Sequence, residues 1–478
     1  MSFFSDYPQL DSIRHLAGQR NVDVYLVGGF LRDCFLSRPT LDFDFAVKDD
    51  AVGFARAFAK RIKGSFVLLD RDHGCARVVK KISQSIATFD FADYRGKTIR
   101  ADLRLRDFTI NTLALHINTF PAEAQLDKGK LFWADGLKDL KAGKIRMANP
   151  KAFAEDPLRL LRAYSLKAEL GFSFDRPTYQ QIRKDAGLIT KSAAERIRDE
   201  LFKILETPRA GKILKEMDAS GLLSQVIPQV SVMFDVQQGG YHHLDVWKHS
   251  LQTVTELEDV FTEFERDRDI ETYLNTEIAG QHSRRAVIRL AALLHDIGKP
   301  ETRRREEGKL SFHAHERVGM GIVREIGKFL KLSTKERHAL QNMVLFHLRP
   351  GYLSNFKRPS EKAVFRYFRD AKDETPAVLL LSMADQRATR GPLTTEKDQE
   401  HHRKICTRLL KRYFKKQKEK PFVPVISGRD LIEELQLTPS PLFRRILSEV
   451  EEKQATGVVK NRKEALDLAQ SIAEKDHD

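Results

Sequence analysis

The stretch VYLVGGFLRDCFLSRPTLDFDFAV, residues 24–47, decides the fold of the first third of the chain. Its first four residues are apolar and predict a short strand, which ends at the glycines Gly28 and Gly29. Residues 30–36 predict a helix that begins directly after these glycines. Because the N-terminus of a helix exposes backbone N–H groups, the turn forms an anion site suited to a triphosphate.

Two carboxylates follow on a second predicted strand, LDFDF at residues 41–45. Residues two apart on a strand share a face, so Asp42 and Asp44 point the same way and the apolar side chains point the other way. Two carboxylates side by side repel each other unless a cation lies between them. Mg²⁺ bound by carboxylates and substrate phosphates fits this arrangement. Taken singly, the glycine pair is also typical of a plain turn and the carboxylate pair of a solvated strand face.

The glycine turn and the carboxylate pair, in this order and at this separation, resemble the first motif of the class II tRNA nucleotidyltransferase/poly(A) polymerase superfamily. Members of that family add nucleotides to RNA 3′ ends without a template. The resemblance implies an α/β nucleotidyltransferase head in which Asp42 and Asp44 are catalytic and bind Mg²⁺. It also implies that Gly28, Gly29 and Arg32 bind the nucleotide.

Composition and charge limit the classes of partner and of compartment. The 478 residues suffice for about three domains, and the formal net charge of +15 favours a polyanionic partner, nucleic acid first. Ribosome-associated and membrane-surface proteins share that charge. Cys34, Cys75 and Cys406 lie far apart and form no metal motif or disulfide framework, which predicts a reducing cytoplasm. We expect no signal peptide, and no membrane span because no apolar run reaches about 18 residues.

The segment after the second strand continues an α/β pattern. Residues 51–62 predict a helix. The predicted strands lie at residues 65–69, 76–80 and 86–91. The last strand contains Asp90, the candidate for a third acidic group that activates the RNA 3′ hydroxyl. A turn-forming aspartate at a strand end is the alternative, and Asp93 is a second candidate for the acidic group.

The sequence DLRLRDFTINTLA at residues 102–114 resembles the second motif of the family, R-D-F-T-I-N-A-L-A, with Thr112 in place of the usual alanine. The pattern predicts a helix in which Asp107 and Asn111, at i and i+4, share a face. The planar guanidinium of Arg106 suits the oxygens of phosphate or ribose. The resemblance places all three side chains in the nucleotide site; a capped surface helix is the alternative.

Residues 154–170, AEDPLRLLRAYSLKAEL, predict an amphipathic helix. Asp156, Arg159 and Arg162 recur at every third position and line one side of it. They resemble the family's E-D-x-x-R motif, which implies that an aspartate and an arginine read the Watson–Crick edge of the incoming base in place of a template. The alternative is a solvated face with a local ion pair between Glu155 and Arg159.

A histidine pattern begins after residue 240, in the order H…HD…H…H…D. Its members are His249, His295, Asp296, His315, His347 and Asp385. With LLHDIGK written out, the pattern resembles the HD metal-dependent phosphohydrolase superfamily. The mixed nitrogen and oxygen ligands suit a divalent metal, which could be Mn, Ni, Co, Mg or Fe.

The resemblance implies two metals in this domain, the first held by His249, the His295–Asp296 pair and Asp385, and the second by His315 and His347. A domain with only a structural role is the alternative. The other histidines of the region, such as His242, fit the pattern less well.

The stretch RKICTRLLKRYFKKQKEK at residues 403–420 is strongly basic. Tyr413 and Phe414 interrupt the charge, so bases could stack on them while Lys and Arg meet phosphate. A solvated helix face is the alternative. Residues 425–437 and 441–469 resemble the C-terminal helical region of the same nucleotidyltransferases.

We therefore predict an α/β nucleotidyltransferase head followed by a mostly α-helical neck, an HD domain and a helical tail. The predicted boundaries are 1–146, 147–230, 231–395 and 396–478. The favoured activity is addition of CCA, or part of it, to tRNA 3′ ends from CTP and ATP. A poly(A) polymerase is one alternative, although bacterial-type poly(A) polymerases usually lack an HD domain. A phosphohydrolase that works only through the HD site is another, and the complete set of head carboxylates argues against it.

The connection across residues 89–107 is short. Full CCA-adding members often carry a long flexible loop here, which helps the base-reading residues switch from C to A. Some family members that add only CC or only A lack this loop. A short, stiff connection gives less freedom for a pocket with two states, so a partial specificity is an alternative to full CCA addition.

Overall fold

The structure is a computed structural model that describes residues 7–83, 85–119, 131–132, 134–279, 282–306, 309–419 and 422–475. The chain divides into two compact units. The first comprises residues 1–201 and 216–226, and the second comprises residues 202–215 and 227–478. The predicted four-part division stays a prediction. Among the described residues, we find no helix long and apolar enough to cross a membrane.

The first unit opens with a mixed sheet and helices packed against it. The strands up to residue 226 are β1 (Val24–Val27), β2 (Asp42–Val47), β3 (Ser65–Asp70), β4 (Cys75–Ile82), β5 (Ser85–Asp93), β6 (Ala114–His116), β7 (Leu131–Phe132), β8 (Lys144–Ile145) and β9 (Ser173–Phe174). The helices are α1 (Pro8–Arg20), α2 (Gly29–Phe35), α3 (Ala51–Ile62), α4 (Ile99–Arg104), α5 (Ala134–Lys141), α6 (Ala152–Glu155), α7 (Arg159–Leu170), α8 (Arg176–Asp185), α9 (Ala194–Leu205), α10 (Ala210–Ala219) and α11 (Leu223–Val226). The sheet order is β3-β4-β5-β2-β1-β6-β7.

A stack of phenylalanines holds β2 against β5, which run parallel. The ring of Phe43 lies 4.8 Å from that of Phe89, and the ring of Phe45 lies 4.9 Å from that of Phe91. All four side chains are buried, and each contributes about 1.5–3 kcal/mol of burial free energy. Because side chains alternate along a strand, this packing turns the intervening carboxylates to the opposite face. The predicted helix at residues 51–62 and the three predicted strands are confirmed within a few residues.

The helix predicted at residues 102–114 is wrong. The helix α4 ends at Arg104, and a 3₁₀ turn occupies Thr109–Asn111. Asp107 lies between them, where its carboxylate accepts a 2.7 Å hydrogen bond from the backbone N–H of Phe108. Such a local side-chain bond offers the backbone an alternative to the helix ladder.

The single helix predicted at residues 154–170 is also wrong, because it breaks between α6 and α7. Pro157 lacks an N–H and disfavours helical geometry in the residue before it. Accordingly, Asp156 is extended, with φ −141° and ψ 98°. Asp156 therefore does not share a helix face with Arg159 and Arg162.

The second unit is mostly helical. Its helices from residue 227 are α12 (Val246–Glu263), α13 (Arg268–Asn275), α14 (Arg284–Leu294), α15 (Lys299–Thr302), α16 (His315–Phe329), α17 (Thr334–Phe346), α18 (Arg349–Ser354), α19 (Glu361–Ala371), α20 (Thr375–Ala388), α21 (Glu396–Lys418), α22 (Gly428–Glu433), α23 (Pro441–Ala455) and α24 (Arg462–Glu474). Two antiparallel strand pairs complete it: β10 (Glu277–Ile278) with β11 (His282–Ser283), and β12 (Arg304–Glu306) with β13 (Lys309–Ser311). The predicted order of an α/β head and then mostly helical parts is confirmed.

Of the two aromatic residues of α21, Tyr413 is buried and cannot stack on bases, so the prediction is wrong for it, whereas Phe414 is half-buried. Tyr413 is buried against Phe368, at a ring-centroid distance of 5.7 Å. Phe414 packs 6.1 Å from the ring of Tyr273. On an amphipathic helix, apolar side chains inside a basic run face the core, whereas the charged side chains face the solvent. The last helices, α22 to α24, enclose a small core of their own, which includes Leu431 and Ile446.

Candidate active site and metal centre

The predicted carboxylates meet on one face of the sheet. The register pairs Asp44 of β2 with Asp90 of β5 and Asp42 with Thr88. Neighbouring strands lie about 4.8 Å apart, so Asp44 and Asp90 stand side by side. Asp42 is more exposed, and its carboxylate accepts a hydrogen bond from the hydroxyl of Thr88. The sequence prediction of Asp90 as a neighbour of the pair agrees with this register, and Asp93 lies beyond it on the same strand.

The electrostatics of this face favour a bound cation. Burial raises the pKa of Asp44 above its usual value against the opposing effect of Arg106, and the neighbouring Asp90 raises it further. A raised pKa means that the ionised carboxylate lacks sufficient compensating charge. A divalent cation would supply that charge, and oxygen ligands of this kind suit Mg²⁺.

Arg77 was not among the predicted site residues, and it lies on β4 directly opposite Asp90. Its guanidinium donates two hydrogen bonds of 2.7 Å, one to each carboxylate oxygen of Asp90. Such a bidentate pair fixes the plane of the carboxylate. The signal was present in the sequence, because pairing of the strands at residues 76–80 and 86–91 as a hairpin brings the two residues together.

The glycine turn lies directly beside the carboxylates. Gly28 has φ +74°, and a Cβ atom there would lie 2.9 Å from Oδ2 of Asp44. Only glycine combines that backbone conformation with so close an approach. The predicted helix after the turn is confirmed as α2, which begins at Gly29. A phosphate at this turn would therefore lie next to the cation site of Asp44.

The glycine turn and the carboxylates line a cleft, and Arg32 does not face it. It is buried, and its guanidinium donates to both oxygens of Asp33 at 3.0 and 2.9 Å and to Oδ1 of Asn111 at 2.9 Å. Asn111 in turn donates to Asp107 at 3.0 Å. Arg32 thus packs beneath the glycine turn, where a Cβ on Gly29 would lie 3.5 Å from its Nη2. The prediction that Arg32 binds the nucleotide finds no support in this geometry.

Arg106 does face the cleft. Its guanidinium pairs with the buried carboxylate of Asp102 at 3.1 Å. Its NH1 atom would lie 3.4 Å from a Cβ on Gly28, so the guanidinium is adjacent to the glycine turn. A cation in that position suits phosphate or ribose oxygens.

The predicted base-reading residues line the same cleft but differ in burial and in hydrogen-bond partners. Arg159 is buried and donates to the carbonyl oxygens of Ala152 and Leu105 at 3.1 and 2.9 Å. Arg162 is half-exposed, and its Nε lies 2.9 Å from Oδ2 of Asp107. Burial would raise the pKa of Asp107, but Arg162 and the hydrogen bond from Asn111 hold it below its usual value.

Asp156 has a partner that the sequence analysis did not assign. The guanidinium of Arg196, on α9, lies 3.0 Å from Oδ2 of Asp156. Both side chains line the cleft. The cleft has a volume of about 710 Å³, large enough for a nucleoside triphosphate. Its lining joins the glycine turn and the carboxylates to the neck through Gly28, Gly29, Asp44, Asp90, Arg106, Asp107, Asn111, Asp156, Arg159, Arg162 and Arg196.

The six predicted HD residues meet in the second unit as two groups. His249, His295 and Asp385 form one group, and Asp296, His315 and His347 form the other. Within each group the ligand atoms lie within 4.8 Å of one another.

Asp296 lies between the two groups. Its Oδ2 is 3.2 Å from Nε2 of His295, and its Oδ1 is 3.3 Å from Nε2 of His315. One carboxylate oxygen thus faces each group, as in a carboxylate that bridges two metals.

Backbone carbonyls orient three of the histidines. Nδ1 of His295 lies 2.9 Å from the carbonyl oxygen of Ala292, and His315 and His347 make the same contact three residues back. An Nδ1–H donor fixes the tautomer in which Nε2 carries the lone pair that a metal needs. Among the described residues, the buried Nδ1 of His249 has no hydrogen-bond partner, and the buried Nε2 of His295 lies near only the carboxylates of Asp296 and Asp385, at 3.2 and 3.7 Å. The donor set fits divalent metals, which nucleotidyltransferase heads and HD domains generally use.

The protonation of the centre follows from its charges. Burial would lower the pKa of His295, but in the absence of a metal Asp296 and Asp385 raise it to about 10, so a metal that binds at Nε2 would displace a proton. Burial and the neighbouring His295 lower the pKa of His347 to about 3. His242, which the sequence analysis left aside, packs its ring 4.7 Å from that of His249. Lys299, also unassigned, donates a 2.6 Å hydrogen bond to Oδ2 of Asp296.

Family models match most of the chain. The Poly A polymerase head domain matches residues 24–146, and the HD domain matches residues 246–390. A model for the RNA-binding site of polymerase A matches residues 171–234, and one for tRNA nucleotidyltransferase domain 2 matches residues 418–469.

Similar proteins cover nearly the whole chain. An A-adding tRNA nucleotidyltransferase of Deinococcus radiodurans is 31% identical over 458 residues, which are 94% of this chain and 95% of the relative. A CC-adding tRNA nucleotidyltransferase of Thermus thermophilus is 30% identical over 93% of this chain and 92% of the relative. The solved structure of a CCA-adding enzyme with ATP shares the fold, with a TM-score of 0.65 at 19% identity, over 98% of this chain and 94% of that one. By its identity to relatives over almost their full length, this chain belongs to the tRNA nucleotidyltransferase family, as a nucleotidyltransferase that carries an HD domain.

Proposed function

We propose that this chain adds CCA to the 3′ ends of tRNA, using CTP and ATP without a template. The observation that carries the proposal is a single cleft in which Asp44 and Asp90 stand side by side at a glycine turn. The same cleft contains charged neck residues that can read a base. The names of the relatives, which add A or CC to tRNA, agree with this substrate.

In the proposed reaction, the RNA 3′ hydroxyl attacks the α-phosphate of the nucleotide and pyrophosphate leaves. Asp42 and Asp44 would hold Mg²⁺, which stabilises the charge that develops on the phosphate oxygens. Asp90 accepts the proton of the attacking hydroxyl. The turn at Gly28 and Gly29 receives the triphosphate.

The sugar and the base are held by other groups of the cleft. Arg106 would contact the phosphate or the ribose, while Asp107 and Asn111 shape the adjoining wall. Asp156, Arg159 and Arg162 would read the edge of the base, with Asp156 as acceptor and the arginines as donors. Rigid donors and acceptors discriminate well, because a mismatched base leaves buried polar groups unpaired.

Addition of CC alone is a second candidate, favoured by the connection between β5 and α4. Residues 94–98 form the whole connection. The backbone N–H of Tyr94 donates to the carbonyl oxygen of Val47 at 3.1 Å, and that of Arg95 donates to Asp102 at 3.1 Å. Because these hydrogen bonds fix the start of the connection, it has little freedom to move between the two positions that a pocket with two states would need. The same reasoning applies to a chain that adds only the final A.

For the second unit we propose a divalent metal centre that hydrolyses nucleotides or cyclic phosphates. His249, His295, Asp296 and Asp385 would hold one ion, and His315 and His347 a second, with Asp296 between them. Mn, Ni, Co, Mg and Fe all accept such mixed nitrogen and oxygen ligands. Its substrate would be tested separately, with a 2′,3′-cyclic phosphate as the first probe.

Sequencing of tRNA 3′ ends tests the proposed activity. Purified chain is incubated with tRNA that lacks its 3′ end, with CTP alone, ATP alone and both nucleotides. Ends that read CCA support full addition. Ends that stop at CC, or A added only to ready-made CC ends, support a partial enzyme instead, and long A tails would identify a poly(A) polymerase. A reaction on tRNA also agrees with a cytoplasmic location, which the three free thiols suit.

A further inference from the structure

A row of basic side chains runs along the exposed face of α21. Its members are Lys404, Arg408, Lys411, Lys415 and Lys418, which are all exposed. Their spacing of four, three, four and three residues places them on one helix face. At 1.5 Å per residue the row is about 21 Å long. The opposite face of α21 is buried in the second unit.

The centre of this row carries charge that the protein does not neutralise. Lys404 lies 3.4 Å from Glu400, and Lys418 lies 2.7 Å from Asp269. Within the described part of the chain, Arg408, Lys411 and Lys415 make no ion pair or side-chain hydrogen bond. Three adjacent cations without an internal partner are suited to a polyanion.

An aromatic pocket of about 450 Å³ adjoins the C-terminal half of the row. Phe365 and Phe422 both line it as a tilted pair, with ring centroids 6.4 Å apart and an interplanar angle of 57°. Nζ of Lys416 lies 5.4 Å from the centre of the Phe365 ring. The lining carboxylates are Glu361, which pairs with Arg412, and Glu419.

We propose that this row and this pocket form an RNA groove, in which the row binds backbone phosphates and the pocket holds one unstacked base. The chemistry favours RNA because a basic track beside an aromatic platform matches both parts of a nucleotide. The proposal rests on the proposed function for the identity of the RNA, which is tRNA. The centre of the row, Arg408, Lys411 and Lys415, lies within residues 391–417, which none of the matched family models covers.

A charge-removing triple variant tests the row. Arg408→Ala, Lys411→Ala and Lys415→Ala are combined, and binding of full-length tRNA is measured at several salt concentrations. Each lost phosphate contact reduces the magnitude of the negative slope of log K against log salt by about 0.7–0.9. In the triple variant this magnitude should therefore fall by about 2–3. Affinity should fall about tenfold or more at physiological salt.

A second triple variant is the matched control. Arg324→Ala, Lys328→Ala and Lys335→Ala remove the same charge from exposed positions of α16 and α17. Its salt slope should equal that of the wild type. Equal slopes and affinities for the two triple variants would overturn the proposal that the row binds RNA phosphates. Loss of binding to anionic vesicles with unchanged tRNA binding would overturn it in favour of a membrane surface.

Phe365→Ala tests the pocket. Because stacking contributes through the ring, tRNA affinity should fall about fivefold or more with the salt slope unchanged. Phe365→Tyr keeps the stacking surface and should bind like the wild type. A lower melting temperature with unchanged affinity would overturn the pocket.

The outcome for the groove is separable from that for the reaction. In nucleotide addition, the first triple variant should raise the KM for tRNA while kcat at saturating tRNA stays at the wild-type value. A wild type that binds tRNA through the row but adds no nucleotide contradicts the proposed function alone. A wild type that adds nucleotides, with a first triple variant whose KM equals that of the control, contradicts the groove alone.

Discussion

Arg77 holds both carboxylate oxygens of Asp90, at 2.7 Å each, across the pairing of β4 and β5. Asp90 lies beside Asp44 in the sheet, so this pair sets the orientation of the third carboxylate toward the other two. A carboxylate held by two charge-assisted hydrogen bonds cannot rotate freely. We infer that Arg77 is a positioning residue for Asp90, which we propose as the acceptor of the 3′ hydroxyl proton.

Arg77→Ala should lower kcat for nucleotide addition about tenfold or more, while the KM for CTP changes less than about twofold. Arg77→Lys keeps the charge and should recover part of the loss. Lys81→Ala removes a charge from the same side of the same strand and serves as the control. Steady-state kinetics distinguish the cases. A change confined to KM would contradict a positioning role.

Substitution of two neck arginines should distinguish an effect on base choice from an effect on stability. Arg159→Ala removes the guanidinium donor to the half-buried carbonyl oxygen of Leu105 and one of the two donors to that of Ala152, which also accepts from the backbone N–H of Asp156 at 3.3 Å. An unpaired buried group costs about 1–3 kcal/mol, so the melting temperature should fall as the choice between C and A blurs. Arg196→Ala, at a half-exposed position, should blur that choice with little loss of stability. The ratio of CTP to ATP incorporation, measured with thermal melting, checks both. A wild-type ratio in both variants would contradict base reading by this cluster.

The HD residues should hold metal independently of the head. Metal analysis of the purified wild type should find a divalent ion beyond added Mg²⁺. His295→Ala combined with Asp296→Ala should remove it, and nucleotide addition should stay measurable. His243→Ala, at an exposed position nearby, is the control and should keep the ion. An unchanged metal content in the double variant would rule out this centre as the binding site.

The pair of Glu336 and His282 should make stability depend on pH in the acid range. Burial would raise the pKa of Glu336, but hydrogen bonds from His282 and Ser333 hold it below its usual value. A lowered pKa stabilises the fold above the unfolded pKa of about 4.5, and that stability is lost as the pH falls through the folded value. The melting temperature of Glu336→Gln should therefore lie below that of the wild type at pH 6. The difference should shrink below about pH 4.5. Glu433→Gln, at an exposed pair with Arg429, should show little effect at any pH.

The sequence predicted well which residues meet on the sheet face and in the histidine cluster, because alternation and motif order determine them. Asp44 and Asp90 meet because the phenylalanines that flank each of them on its strand must be buried on the opposite face of the sheet. The prediction failed where a local interaction overrides periodicity. Pro157 separates Asp156 from the helix of Arg159, although the three-residue spacing suggested one face.

Tertiary contacts explain the other differences between the prediction and the structure. Arg32 has the residue type of a phosphate ligand, yet Asp33 and Asn111 use its guanidinium within the protein. Tyr413 interrupts a basic run, yet it faces the core. Only contacts between residues distant in sequence decide such cases, and one sequence does not report them.

Incorporation of labelled CTP and ATP into tRNA that lacks its 3′ end, by the wild type and by Asp44→Asn, tests nucleotide addition at the head carboxylates. Asp44→Asn keeps the size of the side chain and removes the charge that would bind Mg²⁺, and Asp42→Ala removes the second ligand. We expect Mg²⁺-dependent incorporation by the wild type and at least about a hundredfold loss in each variant, with tRNA binding unchanged. Full incorporation by Asp44→Asn in the presence of Mg²⁺ would contradict this expectation.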